Sequence, residues 1–126
     1  MIFDSDVLIW AFRRKDSASQ LLLSAQSISI SAVTYMELIQ GVLNKQELLQ
    51  IKKFLKVFDM KILDITPKIT HRAMAYVENY ALSDSMGLAD ALIAATAVEN
   101  SEPLCTANIK HYKCVSELHM EVFKVE

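Results

Sequence analysis

The chain opens with MIFDSDVLIWAF (residues 1–12), in which three apolar residues are followed by Asp4 and then by a second apolar segment. Residues 1–3 predict a short buried strand that ends at a carboxylate, and residues 7–12 change to a helical spacing of apolar positions. A strand followed at once by a helix is the repeating unit of parallel α/β sheets. We therefore expect Asp4 to lie at the carboxyl end of a buried strand, where such sheets bind ligands.

The rest of the chain continues this alternation of strand and helix. SISIS (residues 27–31) alternates strictly between polar and apolar residues, and Gly41 is placed to end the helix that follows. The predicted strands cover residues 1–3, 27–31, 61–65, 103–106 and 121–125, and the predicted helices cover residues 7–12, 16–25, 33–39, 48–58, 66–82 and 87–98. We expect an α/β fold, a three-layer α/β/α sandwich around a central, mostly parallel sheet, formed by one domain over residues 1–126.

The composition fits one compact domain. Of the 126 residues 52% are hydrophobic, while Gly and Pro number two each, which argues against an all-β fold. No apolar run approaches the roughly 20 residues that cross a bilayer, and no signal peptide is recognisable, so a cytoplasmic protein without a membrane partner is expected. Cys105 and Cys114 fit no zinc or redox motif and predict ordinary reduced thiols. The net charge of −2 does not indicate nucleic-acid binding, and the basic run at residues 13–15 is typical of a solvated surface.

Three carboxylates stand in unusually apolar surroundings. Asp4 ends the first strand, Glu37 lies within a hydrophobic helix, and Asp90 is the only charged residue of residues 88–98. Removing an unpaired carboxylate from water costs on the order of several kcal/mol. One divalent cation shared by all three would offset that cost. Without a cation, their mutual repulsion predicts at least one raised pKa.

Each carboxylate also has a simpler explanation that remains open. Asp4 could form an Asx turn or cap a helix. Glu37 could be a surface residue or the partner of Thr34 in a capping box. Asp90 could complement the dipole of the helix in whose first turn it lies. The three simple explanations are less probable together than singly.

Four segments resemble the motifs of PIN-domain proteins. FDSDVLIW (residues 3–10) is similar to their opening motif, TYMELIQG (34–41) to the second, GLADALIAATAVEN (87–100) to the third and PLCTANIKHY (103–112) to the fourth. The order and the spacing match over essentially the whole chain. Among PIN proteins, the chain most resembles the short bacterial VapC-type toxins of toxin–antitoxin pairs.

The resemblance implies a metal-dependent endoribonuclease that cleaves RNA phosphodiester bonds with a metal-activated water. The implied catalytic residues are Asp4, Glu37, Asp90 and Asn108. Asp4, Glu37 and Asp90 are implied to bind Mg²⁺, for which Mn²⁺ can substitute. Asp6 and Thr106 are implied as auxiliary residues. Asn108 stands where many members have Asp, and its neutral amide disfavours a second tightly held ion. Lys110 and His111 follow it closely and could contact a substrate phosphate. The implied partners are RNA, a cognate antitoxin protein and a second copy of the chain in a homodimer.

Other interpretations remain open. A PIN domain that has lost its activity could serve as a binding module, and Asn108 is the feature that favours this. DSDV (residues 4–7) also resembles the start of haloacid-dehalogenase-type phosphatases, but Asp84 and Asp90 lack the Gly-Asp-x-x-x-Asp spacing of that family. DNA or ribosomal RNA could replace tRNA or mRNA as the substrate, because residue types alone do not distinguish them.

Overall fold

In the computed structural model, which describes residues 1–13 and 16–124, five parallel strands form a sheet with helices on both faces. The strands are β1 (Ile2–Phe3), β2 (Ser29–Ser31), β3 (Lys61–Leu63), β4 (Leu104–Thr106) and β5 (Met120–Val122). The helices are α1 (Ser5–Phe12), α2 (Asp16–Ser24), α3 (Ala32–Gln40), α4 (Lys45–Val57), α5 (Pro67–Asp84), α6 (Leu88–Glu99) and α7 (Ile109–Tyr112). The predicted α/β/α sandwich with a parallel sheet is confirmed.

The order of the strands changes direction beside β1. The sheet runs β3-β2-β1-β4-β5, so the chain builds outward on one side of β1 and then crosses to the other side for β4 and β5. Ile2 pairs with Leu104 and Phe3 with Cys105 across this point. The backbone N–H of Asp4 continues the ladder by donating to the carbonyl of Cys105 at 2.9 Å. In open parallel sheets, the crevice at such a change of order is where ligands bind.

Side chains that alternate along β1 and β4 fix these two strands between two apolar layers. Ile2 and Leu104 pack with residues of α5, α6 and α7, whereas Phe3 and Cys105 pack with residues of α1 to α4. All four are at most 1% exposed. Burying one large apolar side chain fully stabilises the fold by roughly 1.5–3 kcal/mol. The carboxyl ends of β1 and β4, from which the next segments leave, are therefore anchored in the core.

Several helix boundaries differ from expectation because of local capping. α1 begins two residues early, since Asp4 caps it by accepting a hydrogen bond from the Ser5 N–H at 2.8 Å. α4 begins at Lys45 because the side chain of Asn44 accepts from the Glu47 N–H at 2.9 Å. α7 was not predicted, since four residues are too few for a helical period to be recognised.

The remaining expectations concern the cysteines, the ends of segments and the membrane. Cys105 and Cys114 are free thiols, the first buried and the second partly buried, as predicted. Part of the basic run, residues 14 and 15, and the last residue of the final predicted strand lie outside the described residues. Among the helices of the described part, none combines the length and the apolar composition that crossing a membrane requires.

Candidate active site

Asp4 is held in the crevice by three hydrogen-bond donors. Its Oδ1 accepts from the Ser5 N–H at 2.8 Å, and its Oδ2 accepts from the Thr106 hydroxyl and from the Tyr112 hydroxyl, both at 2.9 Å. The residue is 6% exposed. The simple explanation of Asp4 as a helix cap is therefore correct, but it accounts for only one of the two carboxylate oxygens.

Thr106 and Asp6 join the ends of β1 and β4. The Asp6 Oδ2 accepts from the Ala107 N–H at 2.9 Å and lies 3.4 Å from the Thr106 hydroxyl. That hydroxyl also accepts from the Asn108 N–H at 3.0 Å. A hydroxyl carries one proton, so Thr106 donates to the nearer acceptor, Asp4, and Asp6 fixes the turn after β4 through the backbone.

Glu37 reaches the crevice from α3. Ser31 caps this helix by accepting from the Val33 N–H at 3.1 Å. The Thr34 hydroxyl is buried and has no hydrogen-bond partner among the described residues. The capping-box explanation of Glu37 is therefore wrong. The carboxylate of Glu37 instead interacts with the side chain of Ser5, the first residue of α1.

Asp90 lies in the first turn of α6. Its Oδ2 accepts from the Gly87 N–H at 3.3 Å and stands 3.4 Å from the His111 Nδ1. Its side chain is 21% exposed, while Ala91, Ala94 and other apolar residues of the helix are buried. Asp90 thus acts at the helix start, as its simple explanation proposes, and also faces the crevice.

The carboxylates influence one another electrostatically. Burial raises the pKa of Asp4, and the negative charge of Asp90 raises it further, although the three hydrogen-bond donors lower it. Burial and then the charge of Asp4 raise the pKa of Asp6. Partial burial and then the charges of Asp4 and Asp90 raise the pKa of Glu37. The expectation of at least one raised pKa is confirmed, with burial as the main cause and the repulsion between the carboxylates as a smaller one that a cation at this site would relieve.

The donor set fits a hard divalent cation by its chemistry. Carboxylate oxygens are the ligands that Mg²⁺ prefers. Across residues 1–13 and 16–124, however, no group of three His, Cys, Asp or Glu side chains is placed to hold a metal ion. Asp4 directs Oδ2 to two hydroxyls, and Asp90 directs Oδ2 to the start of its own helix. The described side chains therefore supply suitable oxygen atoms without forming a ready-made set of ligands, and Glu37 is exposed at the edge of the crevice.

The other predicted residues lie at the rim. Asn108 is exposed in the turn after β4, and its side chain does not cap α7. Lys110 and His111 follow on α7 and are also exposed, with His111 in contact with Asp90. His71 and His119 belong to other segments, as expected.

Tyr112 is the site residue that the sequence did not predict. It is 1% exposed, and its hydroxyl donates to the Asp4 Oδ2 at 2.9 Å. Burial and then the charge of Asp4 raise the pKa of its hydroxyl, so the hydroxyl keeps its proton and donates it. Its position on α7, six residues after Thr106, is the sequence signal that could have identified it.

These elements define an α/β sandwich with an acidic, hydroxyl-supported crevice at the change in strand order. A model of the PIN domain family matches residues 1–114, and the chain belongs to this family. Membership of this family excludes the haloacid-dehalogenase interpretation. The chain is 34% identical over 122 residues to Ribonuclease VapC10 of Mycobacterium tuberculosis. The aligned region covers 94% of this chain and 90% of that protein.

Solved structures share the whole architecture. A toxin–antitoxin complex from Klebsiella pneumoniae contains a chain that is 27% identical, with a TM-score of 0.78 and coverage of 93% of each chain. The structure of VapBC2 from Rickettsia felis bound to a promoter DNA fragment contains a chain that is 25% identical to this one. The TM-score is 0.80, and the match covers 98% of this chain and 100% of that chain. DNA-bound VapBC from Salmonella typhimurium, at 20% identity and a TM-score of 0.82, supports the fold.

Proposed function

We propose that this chain is a VapC-type endoribonuclease that hydrolyses RNA phosphodiester bonds and acts as the toxin of a toxin–antitoxin pair. Membership of the PIN domain family and the likeness to a protein named a ribonuclease support this activity. The observation that carries the proposal is that Asp4, Glu37 and Asp90 come from three separate elements and interact at the crevice where the strand order changes.

In this proposal Asp4, Glu37 and Asp90 hold Mg²⁺, for which Mn²⁺ can substitute. A bound divalent cation supplies a water of lowered pKa and offsets the charge that develops on the phosphate. Asp4 provides a fixed carboxylate, because its hydrogen bonds and burial hold it in one orientation. Asp6 and Thr106 are auxiliary residues that keep the ends of β1 and β4 together.

The rim residues face the substrate in this proposal. His111, which lies beside Asp90, and its neighbour Lys110 are both exposed and can donate hydrogen bonds to phosphate oxygens. Asn108 is proposed as the fourth catalytic residue, since an exposed amide in the turn after β4 can orient a water or an RNA group. A protein with a net charge of −2 needs such local donors, because its overall charge does not attract RNA.

The proposed partners are RNA, an antitoxin protein and a second copy of this chain. The likeness to a toxin–antitoxin complex and to VapBC2 supports the antitoxin. A cytoplasmic location agrees with the two free thiols. We propose that residues 1–126 act as one domain, with the acidic crevice as its catalytic site.

A binding module without catalysis is the second candidate. The neutral Asn108 favours it, as does the lack, in the described ranges, of three side chains already placed to hold an ion. Titration of the protein with Mn²⁺ separates the two functions, because a binding module has no need of a tight ion.

The experiment that tests the nuclease is incubation of total cellular RNA with the purified chain in Mg²⁺, with and without EDTA, followed by sequencing of the new ends. We expect discrete cuts that EDTA abolishes and that Asp90→Asn removes. Asp59→Asn is the matched control. It makes the same chemical change at an exposed position before β3, where φ is 51°, a conformation that Asn tolerates well. Cuts by Asp90→Asn equal to those of the wild type would refute the site.

Growth provides a second test. Expression of the chain without an antitoxin should arrest growth, and Asp4→Asn or Asp90→Asn should relieve the arrest at equal protein levels. Asp59→Asn should remain toxic. Full toxicity of both site variants would contradict the assignment of Asp4 and Asp90.

A further inference from the structure

The Asp4 carboxylate is hydrogen-bonded unequally at its two oxygens. Oδ2 accepts two hydroxyl protons, from Thr106 and Tyr112, whereas Oδ1 accepts only the Ser5 N–H among the hydrogen bonds of the described residues. A carboxylate oxygen offers about two lone-pair positions. Oδ2 is therefore filled, and one position remains on Oδ1.

Tyr112 holds this arrangement more firmly than Thr106 does. The Thr106 hydroxyl has a second acceptor nearby, the Asp6 Oδ2 at 3.4 Å, to which it could turn. The Tyr112 ring is 1% exposed and belongs to the apolar cluster beneath α5 and α6, so its hydroxyl can reach Asp4 only from a fixed direction. A buried hydroxyl left without an acceptor would be costly, so the ring and the carboxylate fix each other.

We propose that Tyr112 is a positioning residue for Asp4: its hydroxyl, together with that of Thr106, occupies Oδ2 and leaves Oδ1 as the oxygen that binds a divalent cation. This inference rests on the proposed function, because it concerns how the proposed metal ligand is oriented. A purely structural aromatic at this position would fill the same space with Phe. The hydroxyl is therefore the group to test.

The direct test is Mn²⁺ binding by the folded Tyr112→Phe variant, measured by calorimetry. Supporting residues around metal ligands typically change affinity by about 10-fold or more, and we expect the Mn²⁺ dissociation constant to rise by about that factor. The KM for RNA should change little, since the hydroxyl is buried away from the rim. Thr106→Val should weaken Mn²⁺ in the same direction, because it removes the other donor to Oδ2.

Tyr76→Phe is the matched control. The Tyr76 ring lies in the same apolar cluster and is 5% exposed, and its hydroxyl also donates to a carboxylate, that of Glu117. This variant makes an identical chemical change away from Asp4. We expect it to bind Mn²⁺ as the wild type does.

A second measurement needs no metal. In EDTA, the effects of Tyr112→Phe and Asp4→Ala on the urea midpoint of unfolding should be non-additive, whereas those of Tyr76→Phe and Asp4→Ala should add. Mn²⁺ affinity of Tyr112→Phe within twofold of the wild type, or additive effects with Asp4→Ala, would overturn the inference. If the wild type neither binds Mn²⁺ nor cuts RNA, the proposed function fails. The comparison of single and double variants in EDTA still decides whether Tyr112 orients Asp4. If Tyr112→Phe does not fold, Thr106→Val takes its place in both measurements.

Discussion

Replacing Asp4 by Asn should abolish RNA cleavage and yet leave the metal-free protein about as stable as the wild type at neutral pH. The raised pKa of Asp4 means that its charged form is less favourable in the fold than in the unfolded chain, with burial as the main cause. The amide removes the charge but can keep the contacts. Its oxygen can still accept from the Ser5 N–H, and its NH₂ group can donate to the Thr106 and Tyr112 hydroxyls. The Thr106 hydroxyl can then donate to the Asp6 Oδ2, whereas the buried Tyr112 hydroxyl loses the acceptor that Asp4 provides.

The magnitude follows from two opposing effects. Each of the three hydrogen bonds to the charged carboxylate contributes roughly 1.5–3 kcal/mol, and the loss of hydration costs on the order of several kcal/mol. The direction of the pKa shows that the cost is the larger effect. Removing the charge recovers the excess of that cost, while the Tyr112 hydroxyl without an acceptor costs roughly 1–3 kcal/mol in return. We therefore expect the Tm of Asp4→Asn at neutral pH to stay within about 4 °C of the wild type.

The pH dependence of stability gives an independent test of how the Asp4 charge affects the fold. Because the pKa of Asp4 is raised in the fold, the protonated wild type has its full stability below the unfolded value of about 3.9 and loses stability as pH rises through the folded value. The stability of Asp4→Asn relative to the wild type should therefore rise as pH rises from about 4 to neutrality. Thermal melting in EDTA across this range measures it. A variant that melts well below the wild type at neutral pH, or one that still cuts RNA, would refute the reasoning.

Two further predictions concern the cation and the opposite end of the molecule. Mn²⁺ affinity should rise with pH, because protons on Asp4 and Glu37, both with raised pKa values, must leave before the ion binds. Calorimetry at several pH values measures this affinity, and an affinity that does not change with pH would contradict the prediction. Arg72→Met should lower the free energy of unfolding by about 1 kcal/mol, since it leaves Glu99, whose side chain is 18% exposed, without its guanidinium partner at 2.5 Å. Urea unfolding measures that loss. Cleavage of RNA should be unchanged, because Arg72 is remote from Asp4. A loss of cleavage in the folded variant would show that the Arg72 ion pair and the crevice at Asp4 are coupled.

Much of the fold was predictable because apolar periodicity reports burial directly. The buried strand before Asp4 and the helix from Pro67 were both found from local pattern and capping residues. α7 was missed because its four residues are set by packing of Tyr112 into the core, which no local period reveals. The early start of α1 was missed for a related reason, since it depends on the hydrogen bond from the Ser5 N–H to the Asp4 side chain, which no apolar period reveals.

The site was predictable where charge interrupts an apolar segment. Asp4 and Asp90 stood out in this way, and the structure brings both to one crevice. Their supporting contacts were not predictable, because Tyr112 is 108 residues from Asp4 and looks like an ordinary core aromatic. Whether Asn108 takes part in catalysis stays a prediction.

The long separation between Asp4 and its two hydroxyl donors has a consequence for synthesis. Thr106 and Tyr112 follow Asp4 by 102 and 108 residues, so the crevice cannot assemble until the ribosome has made most of the chain. Contacts this distant in sequence form late and slowly. We expect a growing polypeptide to be harmless to the RNA around it, and a polypeptide that stops before β4 to remain inert.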